Sequence, residues 1–431
     1  MRSLLGSCQL YEIPQTIPEQ THDSDHNRSR VEVCPAQIAL ERRLLRAATY
    51  FVRFLIRPTV MKRIWFIVLS ALAISFSFLA TPLWAQFAYV TENNDVRGYS
   101  INRETGALTP VPGSPFPTGS IPDQVAVDQA ARFVYVTNAL FRDNLSGFSI
   151  DPKTGTLTAV PDSPFPTGSA PQPVAVDQTG QFVYVGNLGD NNVSGYRIDR
   201  QTGSLKRILG SPFATGVSPA FPGGGVFPES IAVDQTAQFV YVAVGISGGG
   251  GTVVGYRVDR DTGALTPVPG SPFKTGDGLT SVVVDPKVEF AYVATSFDNR
   301  VWGYRIDRRT GALTPVPGSP FTTGTKPSSI AVDQLAQFVY VTNETANTVS
   351  GFSIDRKTGS LTPVPGSPFP TESVPKSVAV DQTAQFVYVV SQGSNHILGY
   401  RIDPKTGTLR EVPSSPFATG SSPKSIAITR H

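Results

Sequence analysis

A chain of 431 residues with 36 Lys+Arg against 33 Asp+Glu carries a formal net charge of +3 at neutral pH. Its Gly 39 and Pro 37 are high and its Met 2 is low, a composition for many short strands joined by specified turns rather than for helices. Ten of the basic and six of the acidic residues lie in residues 1–85, leaving 26 against 27 beyond them; that near-neutral remainder has no basic run, and nucleic-acid binding is discounted.

Residues 1–60 show no sustained strand or helix pattern and hold both cysteines, Cys8 and Cys34. They read as a non-native or disordered extension upstream of a true start at Met61. From there Lys62-Arg63, an apolar run from Ile64 to Ala80 and the segment Pro82-Leu83-Trp84-Ala85 have the form of a secretory signal ending at Ala85. The run is also long enough for a retained signal anchor. Arg42, Arg43, Arg46, Arg53, Arg57, Lys62 and Arg63 all precede it, so on either reading residues 86–431 are exported, to the periplasm, the cell surface or the medium. The membrane is then met only through residues 61–85. The exported part contains no cysteine, so no disulfide, thiolate nucleophile or Cys-ligated metal is available to it.

From Phe87 onward one unit recurs seven times. Its opening aromatic is Phe87, Phe133, Phe182, Phe239, Phe290, Phe338 and Phe386, at spacings of 46, 49, 57, 51, 48 and 48 residues. Seven Gly-aromatic pairs, Gly98-Tyr99 through Gly399-Tyr400, and seven Ser-Pro-Phe triplets, from Ser114 to Ser415, keep the same phase. Each unit holds four strand-like runs. The Val-Ala-Val-Asp and Phe-Val-Tyr-Val runs are apolar on both alternating faces, as in strands buried on both sides, and the two outer runs are more polar. Segments such as Asp355 to Gly359 read as hairpins in which Asp bonds the turn backbone and Gly takes a positive φ. The same turn logic makes Asp128, Asp177, Asp234, Asp285, Asp333 and Asp381 structural.

Four strands at about 48 residues per repeat predict an all-β, seven-bladed β-propeller with four antiparallel strands per blade and 28 in all. The ends agree. The first unit lacks an innermost strand and the chain finishes on an unpartnered one, Ser425 to Thr429, so the last strand is expected to close the ring by joining the first blade. A monomer is expected.

Phe338-Val-Tyr-Val-Thr-Asn343 and Pro327-Ser-Ser-Ile-Ala-Val-Asp333 resemble the YVTN-type repeats of the lactonase-like seven-bladed propellers, a group with propeller-type 6-phosphogluconolactonases and fungal muconate-lactonising enzymes. The resemblance spans residues 87–431. It implies this architecture and a hydrolase that opens lactones. Similar repeats also occur in cell-surface propellers with no known reaction.

Where a repeat explains what its units share, departures from it point to function. The position two residues before each innermost strand, near the channel mouth, reads Asp123, Gln172, Glu229, Thr280, Ser328, Lys376 and Lys424. Ring closure makes Lys376, Lys424 and Asp123 neighbours. Lys376 and Lys424, with Gln172, are candidates to bind an anionic sugar acid or lactone, and Glu229 and Asp123 are candidate catalytic carboxylates, Glu229 as base. The alternative is a set of solvated loop charges with no shared ligand. Phe141-Arg142-Asp143, Asp190-Asn191-Asn192, Val217 to Pro228 and Gly248 to Gly251 are further departures; the last lacks the Lys-Ser/Thr of a phosphate loop. His396, the one His inside the repeats, is either a surface residue or a substrate contact. No cofactor is expected and no His-rich metal site; Ca²⁺ or Mg²⁺ on Asp123 and Glu229 stays open. Two functions remain: a lactone hydrolase, or a non-catalytic envelope propeller presenting loops to a protein or glycan.

Overall fold

The computed structural model describes residues 86–429 apart from 120, 140–142, 216–225 and 247–249. The predicted extension and signal, most of the Val217–Pro228 arm, Phe141-Arg142, and Gly248-Gly249 lie outside the described residues. Among the described residues there is no helix, and there are seven antiparallel sheets, each taking its innermost strand from the end of one repeat and the remaining strands from the next. Blade 2 is representative: Pro122–Val127 is innermost, then Phe133–Asn138, Asn144–Ile150 and Leu157–Ala159.

Each blade is four strands wide, as expected, but its outermost strand is broken into two short pieces, so the described residues hold 35 strands rather than 28. The outer edge is split. In blade 2 Leu157–Ala159 pairs with one end of the third strand and Phe165–Pro166 with the other. Between them Pro161 and Pro164 have no N–H to donate to a ladder, and the chain bulges outward through Asp162. The serine of the Ser-Pro-Phe triplet fills the gap: Gly147 N donates to Ser163 Oγ at 3.0 Å, and the same bond recurs in every blade. A two-residue strand across a proline-rich turn has no periodicity to show.

The Phe-Val-Tyr-Val strands are buried from end to end, as expected. Each buried Val or aromatic side chain contributes about 2–3 kcal/mol. The innermost strands differ from the expectation. Pro375–Val380 alternates buried with half-buried positions, because this strand is the inner edge of its sheet and one side of it faces the channel. Ring closure is as predicted: Ile426–Ile428 pairs with the first blade, Ala88 opposite Ile428 and Val90 opposite Ile426.

Neighbouring blades lock at the face opposite the channel mouth. Each second-strand tyrosine donates its hydroxyl to the carbonyl of the hairpin glycine in the next blade, from Tyr89 to Gly155 at 2.8 Å round to Tyr388 to Gly106 at 2.9 Å. That glycine has φ of +74° to +82° and packs flat on a phenylalanine of the preceding blade; a Cβ on Gly407 would stand 2.4 Å from the Phe338 ring. Hence glycine is required there twice over, by conformation and by contact. The Asp turns behave as the sequence predicts: Asp381 is buried and accepts the N–H groups of Gln385 and Phe386, both at 2.7 Å.

Candidate functional site

At the other face the innermost strands enter the ring through a β-bulge. In blades 2 to 7 their register against the second strand shifts at the mouth end, for example between Pro228 and Ser230 and between Pro375 and Ser377. The variable position therefore does not precede the strand, as the sequence pattern suggested; in these six blades it lies inside it, within the bulge. A bulge re-aims a side chain out of the pleat. Here Asp123, Gln172, Glu229, Thr280, Ser328, Lys376 and Lys424 all turn onto one cavity of about 400 Å³. That volume lies in the range of small-molecule sites, about 300–1,000 Å³.

Five of the six candidate site residues thus share the cavity. His396 does not. It starts the third strand of blade 7, where its Nδ1 lies 2.7 Å from Glu372 Oε2, and both side chains are about one-third exposed. Glu372 takes the place of the glycine that the sequence has at Gly119, Gly168, Gly216, Gly276, Gly324 and Gly420, so two departures from the repeat answer each other outside the mouth.

The lysines are already engaged. Lys424 Nζ lies 3.1 Å from Asp123 Oδ2 across the closure seam. Lys376 Nζ lies 2.8 Å from Glu344 Oε2, and Glu344 Oε1 also accepts from Lys326 Nζ at 2.7 Å. Burial pushes the Glu344 carboxyl up, but the hydrogen bonds and charge of Lys326 and Lys376 outweigh it and hold the group below its ordinary value. Glu344 is the cavity residue that sequence reasoning missed. It follows the second strand of blade 6, where the other units carry Asn93, Ala139, Leu188, Gly245, Ser296 and Gln392, and comparing that position across the units would have found it.

Glu229 is the opposite case. None of its oxygens has a hydrogen-bond partner among the described residues, and it lies over Gly245, where a Cβ would stand 3.7 Å from Oε1. Burial, with the charge of Asp123 adding to it, pushes its carboxyl up to about 7. The rest of the lining is neutral and polar: Gln124, Gln172, Thr280, Gln392 and a run of serines. Among the described residues no group of three or more His, Cys, Asp or Glu is arranged to hold a metal ion. The mouth combines a carboxyl group poised near neutrality, neutral hydrogen-bonding walls and two ammonium groups each facing a carboxylate.

A family model for the lactonase seven-bladed β-propeller matches residues 80–217 and 228–425. The chain belongs to this lactonase family. The stretch between the two matches falls in the Pro/Gly-rich insertion that leads into Glu229. Among solved structures the chain is similar to the Pseudomonas aeruginosa periplasmic gluconolactonase PpgL, with 16% identity, a TM-score of 0.65, and 80% of this chain and 99% of that one covered. It is likewise similar to a provisionally assigned 6-phosphogluconolactonase of Bacteroides uniformis ATCC 8492, with 17% identity and a TM-score of 0.68, and to a Lactobacillus plantarum protein, with 22% and 0.63. Both cover 80% of this chain and 99% of the other. At these identities the likeness shows the fold. No curated protein matches the chain significantly.

Proposed function

We propose that this lactonase-family propeller hydrolyses an uncharged lactone of a sugar acid at the channel mouth, with Glu229 as general base. The observation that carries the reading is Glu229 itself: a desolvated carboxyl with no hydrogen-bond partner among the described residues, pushed up to about 7, in a polar cavity of small-molecule size. A base with that affinity for a proton is half ionised at neutral pH and takes a proton from water more readily than an ordinary carboxylate. Hydroxyl and amide side chains suit the hydroxyl groups of a sugar ring. Lys376 and Lys424 would otherwise recognise a phosphate or carboxylate, but each is matched by Glu344 or Asp123 at 2.8–3.1 Å, which favours a neutral ring over a phosphorylated one.

In this reading Asp123 and Glu344 position the lysines, and Gln172 contacts substrate. No metal or other cofactor is invoked. The basic-then-apolar pattern of residues 61–85 supports action outside the cytoplasm, on a lactone met there.

The test is a panel of lactones assayed against residues 86–431, with thermal shift measured in parallel. Turnover of glucono-δ-lactone or a related neutral lactone, with little activity on its 6-phosphate, is the expected result. Stabilisation by sugars or glycans without any turnover would overturn the hydrolase reading and favour a surface-binding propeller.

A further inference from the structure

In an antiparallel ladder alternate N–H groups of an edge strand point away from its partner. The turn aspartates set the phase. Asp177 N donates to Phe182 O at 2.9 Å and Asp234 N to Phe239 O at 3.0 Å. Counting back two at a time places Ala175 and Ala232 in the ladder and turns the N–H groups of Val174 and Ile231 out of it, toward the channel side. The same count applies to Val125, Val282, Ile330, Val378 and Ile426 in the other blades.

At five of the seven seams a serine of the preceding blade accepts this N–H. Val125 donates to Ser425 Oγ at 3.4 Å, Val282 to Ser230 at 3.1 Å, Ile330 to Ser281 at 3.4 Å, Val378 to Ser329 at 3.3 Å and Ile426 to Ser377 at 3.3 Å. At the other two seams the serine is replaced by Gln124 and by Pro173. Among the described residues nothing accepts from Val174 N or Ile231 N. These two seams are adjacent, and they bracket the stretch of the mouth formed by Gln172 and Glu229: Val174 follows Gln172 by two residues and Ile231 follows Glu229 by two.

We infer that the N–H groups of Val174 and Ile231 are the oxyanion donors of the site. This rests on the lactone-hydrolase reading above. Ionised Glu229 removes a proton from water as the water oxygen bonds to the lactone carbonyl carbon, and the carbonyl electron pair moves onto its oxygen, which the two N–H groups hold. Collapse of that intermediate breaks the bond to the ring oxygen. The proton on Glu229 passes to the ring oxygen, the carboxyl is restored to carboxylate, and an open-chain hydroxy acid leaves. Donors fixed in a backbone need no reorganisation as charge develops, and removing one such donor costs about 10²–10³ in rate.

The experiment uses substitutions that restore the molecule's own pattern: Gln124→Ser, Pro173→Ser and the pair together. The expected result is a fall in kcat of about 10²-fold for the double variant, with KM nearly unchanged and the melting temperature equal or raised. Two readouts do not depend on turnover or on the variants folding well. In the parent protein the Val174 and Ile231 amides should exchange with deuterium faster than the five serine-bound amides. Both should also shift in NMR spectra on titration with a cyclic phosphonate whose phosphorus replaces the lactone carbonyl carbon. A double variant within two-fold of the parent kcat, or a phosphonate that moves neither amide, would overturn the assignment. If the parent hydrolyses no lactone, the hydrolase reading fails, and the phosphonate titration still decides whether these amides bind an oxyanion.

Discussion

The two faces of the ring obey different rules. On the face away from the mouth every blade repeats one solution: an Asp or Asn turn, a left-handed glycine, and a tyrosine hydroxyl donated to that glycine's carbonyl one blade on. At the mouth the seven equivalent positions, six of them within a bulge, carry Asp, Gln, Glu, Thr, Ser and two Lys, and no seam can be deduced from its neighbour. Uniformity on one face stabilises the ring, and it frees the other face to vary without loss of the fold. A residue shared by all blades is thereby explained. One that differs calls for an explanation.

The largest expected effect is at the closure, where the uniform arrangement depends on a single short strand. Deleting residues 424–431 removes Ile426 and Ile428 from the buried interior and exposes the inner edge of Gln86–Thr91. A loss of about 5 kcal/mol or more is expected, since two buried branched side chains and a strand ladder go together. Cooperative thermal unfolding by circular dichroism reads it. Retention of the parent melting temperature would show that the blades hold without interlock.

Next in size is Glu229, where the variable face should trade stability for reactivity. Glu229→Gln is expected to lower kcat by about 10²–10⁴-fold. In the parent, kcat/KM should rise with pH through about 7, because the base must be ionised. Stability should move the opposite way. A carboxyl raised from 4.5 to about 7 on folding holds its proton more tightly in the folded state, so its contribution is complete below pH 4.5 and is lost as pH rises through 7. Glutamine cannot ionise and keeps it. At pH 8 the variant should therefore be more stable than the parent by roughly 3 kcal/mol, and at pH 4 the two should nearly coincide. Equal denaturant midpoints at both pH values would remove the case for a desolvated base.

A smaller loss is expected on the uniform face. Gly407→Ala forces an alanine to φ of +74° and drives its Cβ to 2.4 Å from the Phe338 ring, an effect of about 2–4 kcal/mol on stability with the mouth untouched. Urea midpoints check the stability and lactone turnover checks the mouth. A variant that loses activity while keeping its midpoint would show that the two faces are coupled.

The contrast between faces also decides what could be read from the chain alone. Phe338-Val-Tyr-Val and its six counterparts declare themselves because each repeats a local pattern that burial dictates, and the ring follows from counting them. The mouth positions were legible as departures from that pattern. What they do was not, because it depends on register and on neighbours far apart in sequence. The bulge that turns Glu229 inward is a single extra residue in a ladder formed with a strand from 239 onward. The carboxylates that engage Lys376 and Lys424 arrive from residues 32 and 301 positions away. The serine that answers each inner-strand amide belongs to the neighbouring blade, so the absence of one at Gln124 or Pro173 has meaning only once the seams are seen.

The smallest expected effect concerns His396, which tests whether departure from the repeat is by itself a sign of function. Its imidazole meets Glu372 at 2.7 Å, each side chain about one-third exposed, and neither residue lines the cavity. Both depart from their repeat positions, and they depart together. Glu372 stands where all six other units have glycine, and His396 stands where the third strands of the other blades begin with Asp95, Asn144, Asn192, Gly251, Arg300 or Thr348. A pair that changes jointly and whose side chains meet each other away from the cavity is a local exchange of one turn solution for another. Exposed ion pairs contribute about 0.2–1 kcal/mol. His396→Ala should accordingly shift stability by about 0.5 kcal/mol and leave kcat and KM within two-fold of the parent. Glu372→Gly, which restores the residue of the other seams, should do no more. If His396→Ala instead lowered turnover ten-fold while Glu372→Gly did not, the imidazole would have a role at the mouth that its contact with Glu372 does not account for, and variation between blades would be evidence of function even away from the cavity.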